Sequence, residues 1–272
     1  MLALAGCTAA QVTESAEPTV ASGRLTVPDA VVTFPRTLQA ARLVEAQVVT
    51  SREADALVTS ARLESPLFVD SPARDGEVRL FPEWKNRVRV PLGTAVCPAP
   101  QGESVVVLRL VVDGRAVTED LEFDDSVLRA INAEECAQAA VLDVATPSFG
   151  PVTRQDAASL DTTIVLTRGG SEEAAPVSLT SMTGNIVYIV TLDQDADRIL
   201  AGGEASLAVP AVISVGRCDP HVFAESKKTF VFPVRLSVSD RDPSYVEIQP
   251  DEVTRSALQQ LFDDCGEAER GD

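Results

Sequence analysis

The sequence predicts an all-β protein made of two tandem immunoglobulin-like β-sandwich modules, each ending in a short helix that is disulfide-linked to a strand. Short β-branched segments recur at a spacing of about 8–12 residues, as is typical of sandwiches. The cysteines beyond the first seven residues are even in number. A pattern of strand, cysteine, strand, turn, strand, helix and cysteine occurs twice.

The repeated pattern is clearest around two cysteines. The apolar segments "VPLGTAVCPA" (residues 90–99) and "VPAVISVGRCDP" (residues 209–220) both begin with Val-Pro and lead into a cysteine. Each precedes a β-branched strand, "SVVVLRLVV" or "TFVFPVRLSV", then a turn and a short strand, "VTEDLEF" or "SYVEI". The repetition indicates a single sheet-rich unit used twice.

Both copies close with a predicted helix that ends in cysteine, at residues 124–136 and 249–265. Asp124 or Asp125 can cap the first helix, and Pro250 suits the first helical position of the second. Apolar residues spaced three and four apart predict one buried face for each helix. These residues are Val127, Leu128 and Ile131 in the first helix and Val253, Ala257, Leu258 and Leu261 in the second.

Four cysteines remain once Cys7 is set aside, and four cysteines allow three pairings. The duplication selects Cys97–Cys136 and Cys218–Cys265, because each bridge then fastens a closing helix to a strand of its own module. In the chain-entropy model, closing loops of about 40–50 residues stabilises each module by roughly 4 kcal/mol.

Further strands are predicted upstream in both modules. In the first module they are "LVEAQVVT", "ALVTSARL", "PLFVD" and "EVRLFP", and in the second "DTTIVLTR", "APVSLTSM" and "NIVYIVTLD". The segment "DVATPSFGPVTRQD" (residues 143–156) contains two prolines and a glycine, which is typical of a boundary. We therefore expect modules at residues 24–145 and 155–268.

The N-terminus predicts export and lipid anchoring. Leu4-Ala5-Gly6-Cys7 has the form of a bacterial lipobox, in which small residues precede a cysteine that receives a diacylglycerol. Residues 1–7 are then a partial signal peptide, and the polar residues 8–23 are a flexible tether. Two acyl chains hold a protein stably on a membrane. The expected location is extracytoplasmic, on the outer face of the cytoplasmic membrane.

Composition argues against several classes of function. A net charge of −18 repels phosphate backbones, so nucleic acid is not expected as a partner. Aromatic residues make up only 4% of the chain, too few for an extended platform that stacks bases or sugars. The lone tryptophan, Trp84, is predicted to pack against the module because single tryptophans are mostly buried.

One C-terminal motif resembles a known group of proteins. The run "RCDPH…AE…K.TFVFPVRL", followed by a helix and a cysteine, is similar to an uncharacterised group of secreted or lipid-anchored actinobacterial proteins. The resemblance is densest over residues 209–265. It implies fold and location and does not imply an activity.

The segment "RCDPHVFAESKK" contains the only histidine and is a candidate metal site. Asp219, His221 and Glu225 offer one nitrogen and two carboxylates of the type that bind zinc. Catalytic zinc sites typically use at least two nitrogen or sulfur ligands, and Cys218 is committed to a disulfide. The favoured interpretation is therefore a loop held by its disulfide, without a metal.

A second acidic segment has partial calcium-loop spacing. Its acidic residues at positions 1, 3, 5 and 12 are Asp193, Asp195, Asp197 and Glu204. Arg198 stands where a helix–loop–helix calcium site requires glycine, and the flanking segments are predicted strands. An acidic surface loop is the favoured interpretation.

No nucleophile motif accompanies these clusters, and the exported cysteines are paired or acylated. The sequence favours a non-catalytic binding or scaffolding role in a bacterial envelope, toward a protein or a cell-wall polymer, with no cofactor. The alternative is a metal-assisted enzyme or metal-binding protein that uses Asp219, His221 and Glu225.

Overall fold

The computed structural model describes residues 30–50, 56–169 and 175–271, with side chains up to residue 267. The predicted lipobox with Cys7 and the tether at residues 8–23 lie outside these ranges. The described chain is mostly antiparallel β-structure arranged in sandwiches, so the predicted fold class is confirmed.

In the described chain, the first sandwich has two sheets of order β1-β2-β5 and β4-β3-β6-β7. These are equivalent to immunoglobulin strands A, B and E on one side and C, F and G on the other, with β4 added beside C. The elements are β1 (Val31–Thr33), α1 (Arg36–Gln39), β2 (Leu43–Val48), β3 (Ala56–Glu64), β4 (Arg74–Leu80), β5 (Asn86–Pro91), β6 (Val105–Val112) and β7 (Arg115–Glu122).

The second sandwich has sheets of order β12-β14-β10-β8 and β13-β11-β15-β16, with β9 also paired to β10. Strands β8, β10, β14 and β12 take positions A, B, E and D, and β11, β15 and β16 take C, F and G. The strands are β8 (Ala145–Phe149), β9 (Arg154–Gln155), β10 (Ser159–Arg168), β11 (Val177–Met182), β12 (Tyr188–Leu192), β13 (Ile199–Leu200), β14 (Ser206–Val215), β15 (Phe232–Val238) and β16 (Ser244–Ile248). The helices α2 (Ser126–Val144) and α4 (Glu252–Gly271) follow the two G strands, and α3 (Pro220–Glu225) follows β14.

Residue alternation explains why these segments are strands. Along β10, Leu160, Thr162, Ile164 and Leu166 are buried, while the residues between them are half-buried. This period of two places the apolar side chains on the face between the sheets. Tyr188 and Phe232 are fully buried in the resulting second core, and the Tyr188 hydroxyl donates to the Leu258 carbonyl at 2.9 Å.

The internal duplication is evident in the topology. In each sandwich the strand at position E leads to a cysteine, and strands F and G lead to a helix that carries the second cysteine. Both predicted disulfides, Cys97–Cys136 and Cys218–Cys265, are confirmed, with Cα atoms 5.6 Å apart in each. The two bridges indicate that the chain folds in an oxidising compartment outside the cytosol.

Several details of the predicted units are wrong. The closing helices are not short and do not end at cysteine, since they have 19 and 20 residues and place Cys136 and Cys265 in their interiors. The partner cysteines lie in loops beyond β5 and β14, not on strands, because pairing has ended before Cys97 and Cys218. The expected "PLFVD" strand is reduced to one isolated bridge between Phe68 and Ala95.

Asp124 caps the first closing helix as predicted, whereas the prediction that Pro250 is the first residue of the second was wrong. Asp124 accepts a hydrogen bond from the Ser126 N–H at 2.9 Å, whereas the Asp125 side chain pairs with Arg129. Helix α4 begins after Pro250, and the Asp251 carboxylate accepts from the Thr254 N–H at 2.8 Å.

The predicted face of α4 was wrong at Val253. Its side chain is 73% exposed, while Leu258 and Leu261 are buried as expected. Thr254 is buried in its place, so the inward face of the helix begins one residue later than the apolar spacing indicated.

Helix α2 contributes to both cores. Leu128, near its start, is fully buried in the first core, and Val141, near its end, is buried in the second. The helix lies against β15 and β16 of the second sandwich and ends at Val144, directly before β8 begins at Ala145. The segment 143–156, expected to be a boundary, thus contains two strands of the second sandwich.

Within the described ranges, no helix combines the length and apolar character that crossing a bilayer requires.

Both tyrosines of the chain are expected to resist ionisation until the protein unfolds. Burial, followed by the nearby Asp263 carboxylate, raises the pKa of Tyr188, and burial with a hydrogen bond to Glu247 raises the pKa of Tyr245 to about 12. An unfolded tyrosine ionises near pH 10, so the raised pKa values of the two folded-state tyrosines stabilise the folded protein. This stabilisation is complete below pH ~10 and is lost as the pH rises through the pKa of each folded-state tyrosine. Tyrosinate absorbance should appear together with loss of circular dichroism above pH ~10. Ionisation of both phenols near their ordinary pKa in a folded chain would contradict this.

Candidate interaction surface

The connection between β4 and β5 exposes the only tryptophan of the chain. The Trp84 side chain is 72% exposed and Phe81 is 54% exposed. The prediction that Trp84 packs against its module was therefore wrong. We call Phe81 and Trp84 the aromatic platform.

The buried side chain of Asn86 holds this loop in place. Its Oδ1 accepts from the Phe81 N–H at 2.9 Å, and its Nδ2 donates to the Phe81 and Trp84 carbonyls, both at 3.0 Å. Nδ2 also lies 3.1 Å from the Val48 carbonyl of β2, the strand that pairs with β5 in the same sheet. One buried amide therefore holds the loop where the chain passes from β4 in one sheet to β5 in the other.

Backbone contacts add to this support. The Glu83 N–H donates to the Thr50 carbonyl at 2.7 Å, and the Trp84 N–H donates to the Phe81 carbonyl at 3.3 Å. Glu83 adopts a positive φ of 61°, which turns the chain so that Trp84 points outward. The aromatic side chains are thus presented by a loop with a defined backbone.

The platform lies at the end of the sheet that also carries the β6–β7 turn. Ala56, the first residue of β3, pairs with Leu80 on one side and with Val112 on the other. The aromatic loop therefore begins in the same row from which the Asp113-Gly114 turn extends. In immunoglobulin-like sandwiches, loops at one end of the sheets cooperate in binding.

The two rings form an angled apolar surface. Their centroids lie 6.4 Å apart and their planes are inclined by 55°. Large rigid aromatic side chains provide much contact area at low entropic cost, and tryptophan is enriched among residues that dominate binding energy. The arrangement therefore offers an exposed apolar surface of the kind that contacts a binding partner.

Asn86→Ala is expected to lower the free energy of unfolding by about 1–3 kcal/mol, because it leaves a buried N–H and buried carbonyls without their partner. Urea denaturation followed by circular dichroism measures this change. Gln101→Ala, which truncates an exposed amide in a loop of the same sandwich, is the control and should have almost no effect. Equal effects of the two substitutions would contradict the role given to Asn86.

The histidine segment is organised as a structural loop. Asp219 caps α3 by accepting from the His221 N–H at 2.8 Å, and Phe223 packs against Phe262 of α4 with ring centroids 4.4 Å apart. The Glu225 and His221 side chains are exposed. The structure does not bring Asp219, His221 and Glu225 together as metal ligands.

A lysine of this segment pairs elsewhere. Lys228 Nζ lies 2.6 Å from Glu247 Oε1, and the same oxygen accepts from the Tyr245 hydroxyl at 2.8 Å. Burial alone would raise the pKa of Glu247, but these two hydrogen bonds outweigh it and lower the pKa. The pair fastens the segment to β16.

The acidic loop uses its carboxylates to shape its own backbone. Asp193 accepts from the Asp195 N–H at 3.0 Å, and Asp197 accepts from the Ile199 N–H at 2.9 Å. Glu204 accepts from the Ala201 N–H at 2.9 Å. Among the described residues, no group of three His, Cys, Asp or Glu side chains is placed to hold a metal ion.

Comparisons with known proteins give little guidance. No protein-family model matches the chain, and no curated protein matches its sequence. Among solved structures, an exo-chitosanase of Amycolatopsis orientalis is 13% identical, with a TM-score of 0.21. The match covers 80% of this chain and 26% of that chain, so this chain spans about a quarter of its length. A likeness this weak supports no statement about activity.

Proposed function

We propose that this protein is a non-catalytic lipoprotein of a bacterial envelope that binds an envelope protein or wall polymer through the aromatic platform. The observation that carries the proposal is the exposure of Trp84 and Phe81 on a loop that Asn86 holds in place. A protein in water exposes a tryptophan to this extent at a cost, and contact with a partner removes that cost.

Preorganisation supports the same proposal. The Asn86 side chain already links the loop to Val48 of β2, and the Glu83 N–H already donates to the Thr50 carbonyl, so binding orders few additional groups. Affinity rises when this entropic cost is small. The lipobox at Cys7 and the two disulfides are consistent with a function outside the cytosol, where disulfide bonds persist.

The test uses the full-length protein in bacterial membranes, with gentle crosslinking and recovery of bound material. Trp84→Ala is expected to reduce recovery at least tenfold, since truncating a central hot-spot residue typically costs about 2 kcal/mol or more. Val253→Ala is the matched control, because Val253 is as exposed as Trp84 but lies on α4. Equal recovery with both variants would overturn the role of the platform.

Two further experiments test the chemical nature of the partner and the lipid anchor at Cys7. Digestion of the recovered material with a protease or with a wall-degrading glycosidase shows whether the partner is protein or polymer. Cys7→Ala is expected to move the protein from the membrane fraction to the soluble fraction. Retention of that variant in the membrane fraction would contradict lipid anchoring at Cys7.

A further inference from the structure

A second surface, distinct from the aromatic platform, lies along β12 at the edge of the larger sheet. Among the described strands, β12 pairs only with β14. Its sequence, Tyr-Ile-Val-Thr-Leu, has no charge and no proline. An edge of this kind presents backbone groups that readily pair with another chain.

The other described edges are protected. Strands β4 and β7 each carry four charged residues, β5 carries two arginines and a proline, β8 contains a proline, and β16 carries a glutamate. The edge strands β1, β9 and β13 have only three, two and two residues. Charge, proline and short length are the usual devices against edge pairing, so β12 is the exception among the described edges.

The register shows which backbone groups are available. The Gly216 N–H donates to the Val187 carbonyl, and the Asp193 N–H donates to the Pro210 carbonyl, so residues 187, 189, 191 and 193 face β14. Residues 188, 190 and 192 therefore face outward, because backbone groups alternate along an antiparallel strand.

The chain itself closes one end of this edge. Asn185 occupies the outward groups of Tyr188, since its Oδ1 accepts from the Tyr188 N–H at 3.0 Å and its own N–H donates to the Tyr188 carbonyl at 2.8 Å. At the other end, β12 stops at Leu192 and the loop at residues 193–198 begins. The open part of the edge is thus limited to the outward groups of Val190 and Leu192.

A cleft of about 700 Å³ lies beside this open part, between the two sheets. Its apolar lining comes from Met182, Val190, Leu192 and Ile199. Ile189 and Val212 are exposed on the outer face of the same sheet. A strand added to β12 would direct alternate side chains into the cleft and over Ile189.

Charge indicates the kind of strand that fits. Three aspartates and one arginine follow β12 in the loop at residues 193–198, and the chain as a whole carries −18. A second copy would bring the same negative charge, whereas a basic segment is attracted. The strand pairs that the structure describes in both sandwiches are antiparallel, and in that orientation the amino end of an added segment lies beside this loop.

We propose that the outer edge of β12 accepts an extended segment of a partner protein, with apolar residues at alternate positions and basic residues at its amino end. Val190 and Leu192 supply the main-chain hydrogen bonds, the cleft receives the apolar side chains, and the loop at 193–198 attracts the basic end. This is recognition by strand addition.

The test uses the full chain and a labelled synthetic peptide that alternates valine and threonine and begins with two lysines. Binding is followed by fluorescence anisotropy, and amide hydrogen exchange is measured with and without peptide. We expect exchange at Val190 and Leu192 to slow when peptide binds, while Ile189 and Thr191, already bonded to β14, change little. Unchanged exchange at Val190 and Leu192 under saturating peptide would overturn the proposal.

Two variants test separately the contributions of the β12 edge and of the acidic loop at residues 193–198. Val190→Pro removes an outward N–H at an edge position where proline is tolerated, and it should weaken binding at least about tenfold. Asp195→Lys should weaken binding and flatten its salt dependence, whereas Glu225→Lys on α3 and Trp84→Ala should leave both unchanged. If Val190→Pro fails to fold, Asp195→Lys and the exchange data decide. A peptide affinity equal to wild type in folded Val190→Pro, or a β12-dependent dimer by sedimentation, would contradict the proposed occupant.

Discussion

Replacing Cys97 and Cys136 together by alanine is expected to lower the free energy of unfolding by about 4 kcal/mol. The bridge closes a separation of 39 residues, and the second bridge, Cys218–Cys265, closes 47. Because loop-closure entropy grows only slowly with length, the two double substitutions should have similar effects. The measurement is urea denaturation followed by circular dichroism.

Reductant provides the control for this prediction. Wild type should lose stability on reduction, and the Cys97→Ala/Cys136→Ala protein should lose less because one bridge is already absent. A protein without either bridge should not respond to reductant. Equal stability of wild type and the double variants under oxidising conditions would show that the bridges do not stabilise the fold.

Leu128→Ala is expected to destabilise the protein by about 2–5 kcal/mol, since it removes buried methyl groups and leaves a cavity under α2. Leu128 is fully buried in the first core. Leu142→Ala makes the same chemical change on the same helix at a position that is 36% exposed, and its effect should stay below about 1 kcal/mol. Denaturant midpoints of the two variants measure the difference.

One outcome would contradict this view of α2. Equal destabilisation by Leu128→Ala and Leu142→Ala would mean that the helix does not pack as described. A lowered midpoint for Leu128→Ala with unchanged secondary structure in the native protein is the result that supports it. Loss of the helix in the native state would instead place the side chain in a required folding contact.

Much of the fold follows from local patterns. Strand-like segments separated by hairpin signals predicted β10, β11 and β12, and the repeated Val-Pro to Cys pattern identified equivalent strands of the two copies. The pairings Cys97–Cys136 and Cys218–Cys265 followed from that repetition. These features depend on short-range periodicity and on the cysteine count, and both are visible in one sequence.

Other features depend on tertiary context. Helix α2 continues beyond Cys136 because "AQAAVLD" contains strong helix formers and no glycine or proline. This signal is visible in the sequence, but the prediction ended the helix at the cysteine. Strand pairing ends before Cys97, which apolar content alone does not reveal.

The exposed Trp84 shows the same limitation for the candidate site. Average burial favours packing of Trp84, whereas the hydrogen bonds of Asn86 and the positive φ of Glu83 hold the loop so that Trp84 is exposed. The one sequence signal was the proline-containing turn "FPEW" between two strands. The free edge of β12 likewise depends on which strands become neighbours.

Because α2 contributes Leu128 to the first core and Val141 to the second, the geometry of this one helix fixes the mutual orientation of the two sandwiches. Each residue inserted into α2 between Leu128 and Val141 would rotate the second sandwich by about 100° and shift it by about 1.5 Å relative to the first. Insertions and deletions here act on the angle between two recognition surfaces, even where each sandwich keeps its own fold.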